Sequence, residues 1–103
     1  MELGRDQRLS ANPEVLSQVL DGEAVLLDLR SGAYFALNEV GARVWALLAE
    51  PTTMADLSAA LLGEFEVDEA TLERDLRDLL STLLKRNLIE RALGHGQAPP
   101  GAL

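Results

Sequence analysis

Leu27-Asp28-Leu29-Arg30-Ser31-Gly32-Ala33-Tyr34-Phe35-Ala36-Leu37-Asn38-Glu39-Val40-Gly41 is where the pattern of this chain changes, and that change decides the fold. The apolar run Ala24, Val25, Leu26, Leu27 with Asp28 and Leu29 reads as a strand with much of both faces covered. Ser31-Gly32 supplies a turn, and Ala33, Tyr34, Phe35, Ala36 and Leu37 read as the next strand. Asn38 then caps a helix, because its side-chain oxygen accepts a bond from a first-turn N–H that has no helical partner. From there Val40, Val44, Leu47 and Leu48 recur at helical spacing, with Trp45 beside them as a core anchor.

Upstream, Val15, Leu16, Val19 and Leu20 lead into Asp21-Gly22, a pair that closes two-residue hairpins. The expectation is an antiparallel meander of three short strands. Residues 1–13 are polar, lack a sustained period and end in Asn12-Pro13, so they read as a flexible N-terminal arm.

Downstream, Pro51 stops the first helix, and Thr52 or Thr53 caps a second, with Asp56 three residues after Thr53 as in a capping box. Leu57, Leu61 and Leu62 give that helix one buried face. Asp68 caps a third helix, in which Leu72, Leu76, Leu79, Leu80, Leu83 and Leu84 form a broad apolar arc with Leu76 and Leu83 near its middle. Lys85 and Arg86 suit its negative end, and Asn87 suits a left-handed terminator. Leu88 and Ile89 open a short extended segment. Residues 94–103, rich in Gly, Pro and Ala, read as a disordered tail after a domain at 14–93.

The 103 residues suffice for one core, built mainly of Leu, Val and Ala, since only 4% are aromatic. With no cysteine, disulfides, thiolate metal sites and cysteine nucleophiles are excluded. No apolar run nears the roughly 18 residues of a membrane span, and no signal-peptide pattern opens the chain, so a cytoplasmic protein without a membrane partner is expected. The formal net charge of −8 sets the chain against nucleic acid and anionic lipid.

A catalytic site needs converging acid, base, nucleophile or metal groups, and the sequence offers none. The single histidine, His95, lies between two glycines in the tail. No phosphate loop, zinc spacing or calcium loop is present, so no metal or cofactor is expected. Binding a partner polypeptide is the function class that remains.

The quoted stretch, with Leu-Asp in one strand, a Ser-Gly turn, an aromatic strand, Leu-Asn-x-x-Gly and Trp45 one turn on, resembles the PqqD family. These are the peptide-recognition domains of ribosomal natural-product pathways. The resemblance runs over about residues 14–90, through Asp68, the Leu72, Leu76 and Leu79 stripe with Asp75, and Asn87-Leu88-Ile89. It implies an α+β, winged-helix-like fold, a three-stranded antiparallel sheet packed on a three-helix bundle. It also implies a peptide chaperone that binds the leader segment of a precursor peptide and presents it to a separate modifying enzyme, such as a radical SAM enzyme, or to a leader protease.

The resemblance implies that the leader adds as a strand to the edge formed by Ala33, Tyr34, Phe35, Ala36 and Leu37, with a groove wall on the third helix. The wall so implied is formed by Leu72, Asp75, Leu76, Leu79 and Thr82. Tyr34 and Phe35 point to opposite faces of their strand, so one of them belongs to the core. Arg30-Ser31-Gly32 stands where the quinone-cofactor members carry Pro-Glu-Gly. The Tyr-Phe-x-Leu-Asn form is closer to the standalone recognition proteins of lasso-peptide clusters.

Two other readings share the topology. One is a winged-helix DNA-binding regulator, against which the third helix sets Asp68, Glu69, Glu73, Asp75 and Asp78 beside only Arg74, Arg77, Lys85 and Arg86. The other is a dimerisation module whose exposed edge pairs with itself.

Overall fold

Two residues with positive φ, Asp21 at 54° and Gly22 at 82°, build the tight turn that starts the sheet. This turn twists in the sense of its flanking strands and so closes a two-residue hairpin. The computed structural model describes residues 3–92. Its elements are β1 (Arg8–Ala11), β2 (Val15–Leu20), β3 (Glu23–Asp28), β4 (Tyr34–Leu37), α1 (Glu39–Leu47), β5 (Thr52–Thr53), α2 (Met54–Glu64), α3 (Glu69–Lys85) and β6 (Ile89–Arg91). The expected meander is β2-β3-β4, antiparallel throughout, with Val15 opposite Asp28 and Leu26 opposite Phe35.

Side-chain caps start all three helices. Asn38 Oδ1 accepts from Gly41 N at 2.8 Å, Thr53 Oγ1 from Asp56 N at 3.1 Å and Asp68 Oδ2 from Thr71 N at 3.1 Å. Each such cap is worth about 1 kcal/mol. At the far end of α3, Asn87 takes the left-handed conformation at φ 60° and turns the chain back into β6. Gly41 permits close packing at the first turn of α1, where a Cβ would stand 3.2 Å from the Leu37 side chain.

Residues 3–13 are not the arm that the sequence suggests. From Leu3 onward they are packed, and β1 is the central strand of a second antiparallel sheet ordered β5-β1-β6. Leu9 in β1 is fully buried, and Leu3 is buried with it. Arg77 Nη1 donates to the Leu3 carbonyl at 2.6 Å, and Arg5 pairs with Glu73, so the segment before β1 is tied to α3. The folded unit therefore begins before residue 14. The sequence hides β1 because both of its partners are remote: Leu9 faces Thr52 on one side and Arg91 on the other. The expected tail at 94–103, with His95, lies outside the described residues.

One core joins both sheets to the helices. Leu26, Val44, Leu48, Met54, Leu57, Leu61, Leu80, Leu83 and Ile89 are fully buried within it. Trp45 is buried there too. Arg43 donates twice to the Glu64 carboxylate, at 2.8 and 3.0 Å, and ties α1 to the end of α2.

Candidate functional site

The open side of β4 follows from its place at the edge of the sheet, where β3 is its one neighbour among the described residues. In an antiparallel pair, hydrogen-bonded positions alternate with positions whose N–H and C=O point the other way. The Ala33 carbonyl accepts from Asp28 N at 3.0 Å, which places Phe35 and Leu37 among the residues bonded to β3. The backbone groups of Tyr34 and Ala36 therefore face the open edge.

Beside that edge a groove of about 460 Å³ runs between β4 and α3. Phe35, Ala36 and Leu37 form one wall, and Thr71, Leu72, Asp75, Leu76 and Leu79 form the other. Asn38, Val40, Gly41 and Val44 of the α1 end, with Leu61 and Val67, complete it. The α3 wall is the margin of an amphipathic helix. Leu72, Leu76, Leu80 and Leu83 are buried, while the neighbouring row of Asp75 and Leu79 turns toward β4.

Past Phe35 the groove gives way to a smaller hollow of about 190 Å³, lined by Asp28, Ser31, Ala33, Tyr34, Phe35, Arg86 and Leu88. Here the Arg86 guanidinium lies over the Phe35 ring, 5.1 Å from its centroid. A polar clamp fixes this end. Asp28 accepts from the Arg30 backbone N–H, Nε and Nη2 at 2.9 to 3.1 Å, and Arg30 Nη2 also donates to the Asn87 carbonyl at 2.7 Å. Asn12 Nδ2 donates to that same carbonyl at 3.0 Å. The hydrogen bonds from Arg30, its side chain foremost, hold the Asp28 carboxyl below the usual carboxylate range. Through the same contact Asp28 raises the Arg30 guanidinium.

The structure brings most of the sequence-derived residues together: Phe35, Ala36, Leu37, Leu72, Asp75, Leu76 and Leu79 all line the groove. Ala33 and Tyr34 line the adjoining hollow instead, and the Tyr34 side chain, 70% exposed, leaves the strand on the face opposite Phe35. Thr82 is half-buried and lines neither. Val40 and Val44 escape sequence reasoning because their spacing is equally that of core. Val67 escapes it because it sits in a connection without a period. Among the described residues no group of three or more His, Cys, Asp or Glu is placed to hold a metal ion, and no helix is long and apolar enough to cross a membrane.

Residues 23–89 match the family model described as Coenzyme PQQ synthesis protein D (PqqD). The chain belongs to the PqqD family. Two solved structures extend the likeness to most of the chain. "TbiB1 in Complex with the TbiA(beta) Leader Peptide" is 39% identical, with a TM-score of 0.71 over 87% of this chain and 99% of that one. "Lasso peptide synthetase B1 complexed with the leader peptide" is 32% identical, with a TM-score of 0.69 over 80% of this chain and 96% of that one. No curated protein matches the chain.

Proposed function

We propose that this PqqD-family protein binds the leader segment of a ribosomally made precursor peptide, of the lasso type, and presents it to a separate modifying enzyme or leader protease. The chain itself supplies no chemistry in this reading. The observation that carries it is the open edge of β4 running beside an apolar groove. The edge offers main-chain pairing for affinity, and the groove offers pockets to alternate side chains for specificity. The likeness to two proteins solved with leader peptides supports the same reading.

An added strand pairs with the free N–H and C=O groups of Tyr34 and Ala36. Its inward side chains then meet Leu72, Leu76 and Leu79, while the other set points away beside the Tyr34 side chain. The clamp of Asp28, Arg30 and Asn87 keeps the start of β4 at a fixed distance from the end of α3, so the groove is formed before the peptide arrives. Apolar burial and backbone pairing dominate such a complex, which makes its affinity only weakly dependent on salt.

The test is a titration of two fluorescent probes, the TbiA(beta) leader peptide and the leader peptide of the lasso peptide synthetase B1 complex. Saturable 1:1 binding, weakened by Leu79→Asp in a variant that keeps its helical circular dichroism, is the expected result. Binding of neither peptide, or equal binding by Leu79→Asp, contradicts the reading. Mass measurement without peptide checks for pairing of β4 with a second copy, and the expected mass is that of a monomer.

A further inference from the structure

We propose that the α3 wall carries a charge ruler, with Arg86 receiving an acidic side chain of the bound peptide and Asp75 a basic one. This rests on the peptide-binding reading above and deepens it. Asp75, Leu79, Thr82 and Arg86 are spaced by four, three and four residues, the spacing of one face of a helix. Asp75 and Arg86 are eleven residues apart, which is about three turns and roughly 16 Å along the axis. One end of this face lies at the groove wall near Leu72 and Thr71, and the other over Phe35 where the groove meets the hollow.

Both charges are available. The Asp75 side chain is 69% exposed, and its one ion-pair contact among the described residues, with the adjacent and similarly exposed Arg74, is at 4.0 Å. Arg86 is exposed and, among the described residues, makes no ion pair. Its guanidinium carbon lies over the Phe35 ring, 5.1 Å from the centroid, and a guanidinium held over a ring by cation–π attraction still has N–H donors to offer a carboxylate. The acid that lines the hollow, Asp28, is already bonded to Arg30 and does not compete for Arg86. Against a net charge of −8, an acidic peptide side chain is repelled over most of this protein, so Arg86 marks a local exception.

The geometry also sets direction. Tyr34 and Phe35 stand at the Arg86 end and Leu37 toward the Asp75 end, so β4 runs opposite to α3. Antiparallel pairing is the more stable per residue. A peptide added antiparallel to β4 therefore runs from Asp75 toward Arg86, with its basic residue first. At about 3.3 Å per residue the ruler spans about five residues, and because only alternate side chains face α3 it corresponds to a basic residue roughly four or six positions before an acidic one.

The probe is a random 15-residue peptide library displayed on yeast and selected against the full chain, after removal of peptides that also bind Leu79→Asp. Selections run in parallel on the wild type and on the double reversal Asp75→Arg with Arg86→Glu. The wild type is expected to enrich basic-then-acidic pairs at the stated spacing and the reversal to enrich acidic-then-basic pairs. Each enriched peptide should lose on the order of tenfold when moved to the other protein. The single variants Asp75→Asn and Arg86→Gln, each changing affinity about fivefold or less as befits exposed pairs, carry the test if the reversal folds poorly. The same sequences enriched by both proteins, or no charge order in either, overturn the ruler and leave the groove standing. No peptide dependent on Leu79 overturns the peptide-binding reading and the ruler with it.

Discussion

The two small sheets of this protein differ in strand length, with β2, β3 and β4 running six, six and four residues against four, two and three in β1, β5 and β6, and they differ more in how they are closed. In β2-β3-β4 the strands follow one another through tight turns, and the last of them keeps a free edge. In β5-β1-β6 the central strand comes first in the chain, and partners from remote sequence cover both of its edges. An edge strand left uncovered is a hazard that folds normally blunt. Here the chain spends its N-terminal strand on the sheet at the helix ends and leaves β4 open beside the groove. The first sheet thus presents a surface, and the second holds together the elements that carry it.

This contrast is sharpest at Leu9. Leu9→Ala opens a cavity at a fully buried site between the remote strands. It is expected to cost about 2 to 5 kcal/mol of stability by chemical denaturation, with peptide affinity preserved in whatever fraction stays folded. A normal denaturation midpoint would mean that the second sheet does not hold the fold.

At the groove beside β4 the order of effects reverses. Leu79→Ala and Phe35→Ala touch half-buried groove side chains and are expected to weaken peptide binding by about 1 to 3 kcal/mol, with smaller losses of stability. Titration calorimetry beside a denaturation curve separates the two. A loss of stability larger than the loss of binding would make these residues core alone.

The clamp between the sheets responds to pH. The folded-state pKa of Asp28 lies below its ordinary value of 3.8, so its contribution is complete above that value and is lost as pH falls through the lowered one. Glu64, held down by Arg43, behaves alike between α1 and α2. Asp28→Asn is therefore expected to flatten part of the fall in denaturation midpoint between about pH 5 and pH 2, and Glu64→Gln another part. An unchanged acid limb in Asp28→Asn would show that the carboxylate is not held by Arg30.

The smallest effect is expected from Tyr34→Ala. Its side chain is exposed on the face away from the groove, and the backbone groups that face the edge remain. Stability should move within about 0.5 kcal/mol, and peptide affinity by less than for Phe35→Ala. A loss equal to that of Phe35→Ala would place the peptide across the outer face of the sheet.

The same contrast explains what the sequence discloses. The turns at Asp21-Gly22 and Ser31-Gly32, the caps Asn38, Thr53 and Asp68, and the terminator Asn87 are local signals, and each sits where the structure uses it. Arg8, Leu9, Ser10 and Ala11 have no such signal. Their one fully buried side chain is meaningful only with Thr52, Ile89 and Arg91 beside it, and no local turn joins those segments. In the groove, the helical period carries Leu72, Asp75, Leu76 and Leu79 to the correct wall. It carries Thr82 with them because a period has no end, whereas the groove stops at Leu79. Choosing between Tyr34 and Phe35 required knowing which face of β4 meets the core, and alternation alone leaves that choice open.

Backbone amide exchange, measured residue by residue on the full chain with and without a bound leader peptide, tests the central claim most directly. Tyr34 and Ala36, whose N–H groups face the open edge, are expected to slow strongly on binding. Phe35 and Leu37, already bonded to β3, should change little, with added protection along α3 near Leu76 and Leu79. Protection that gathers on β1, β5 and β6 or on α1 and α2, with Tyr34 and Ala36 exchanging as in the free protein, would contradict strand addition at β4.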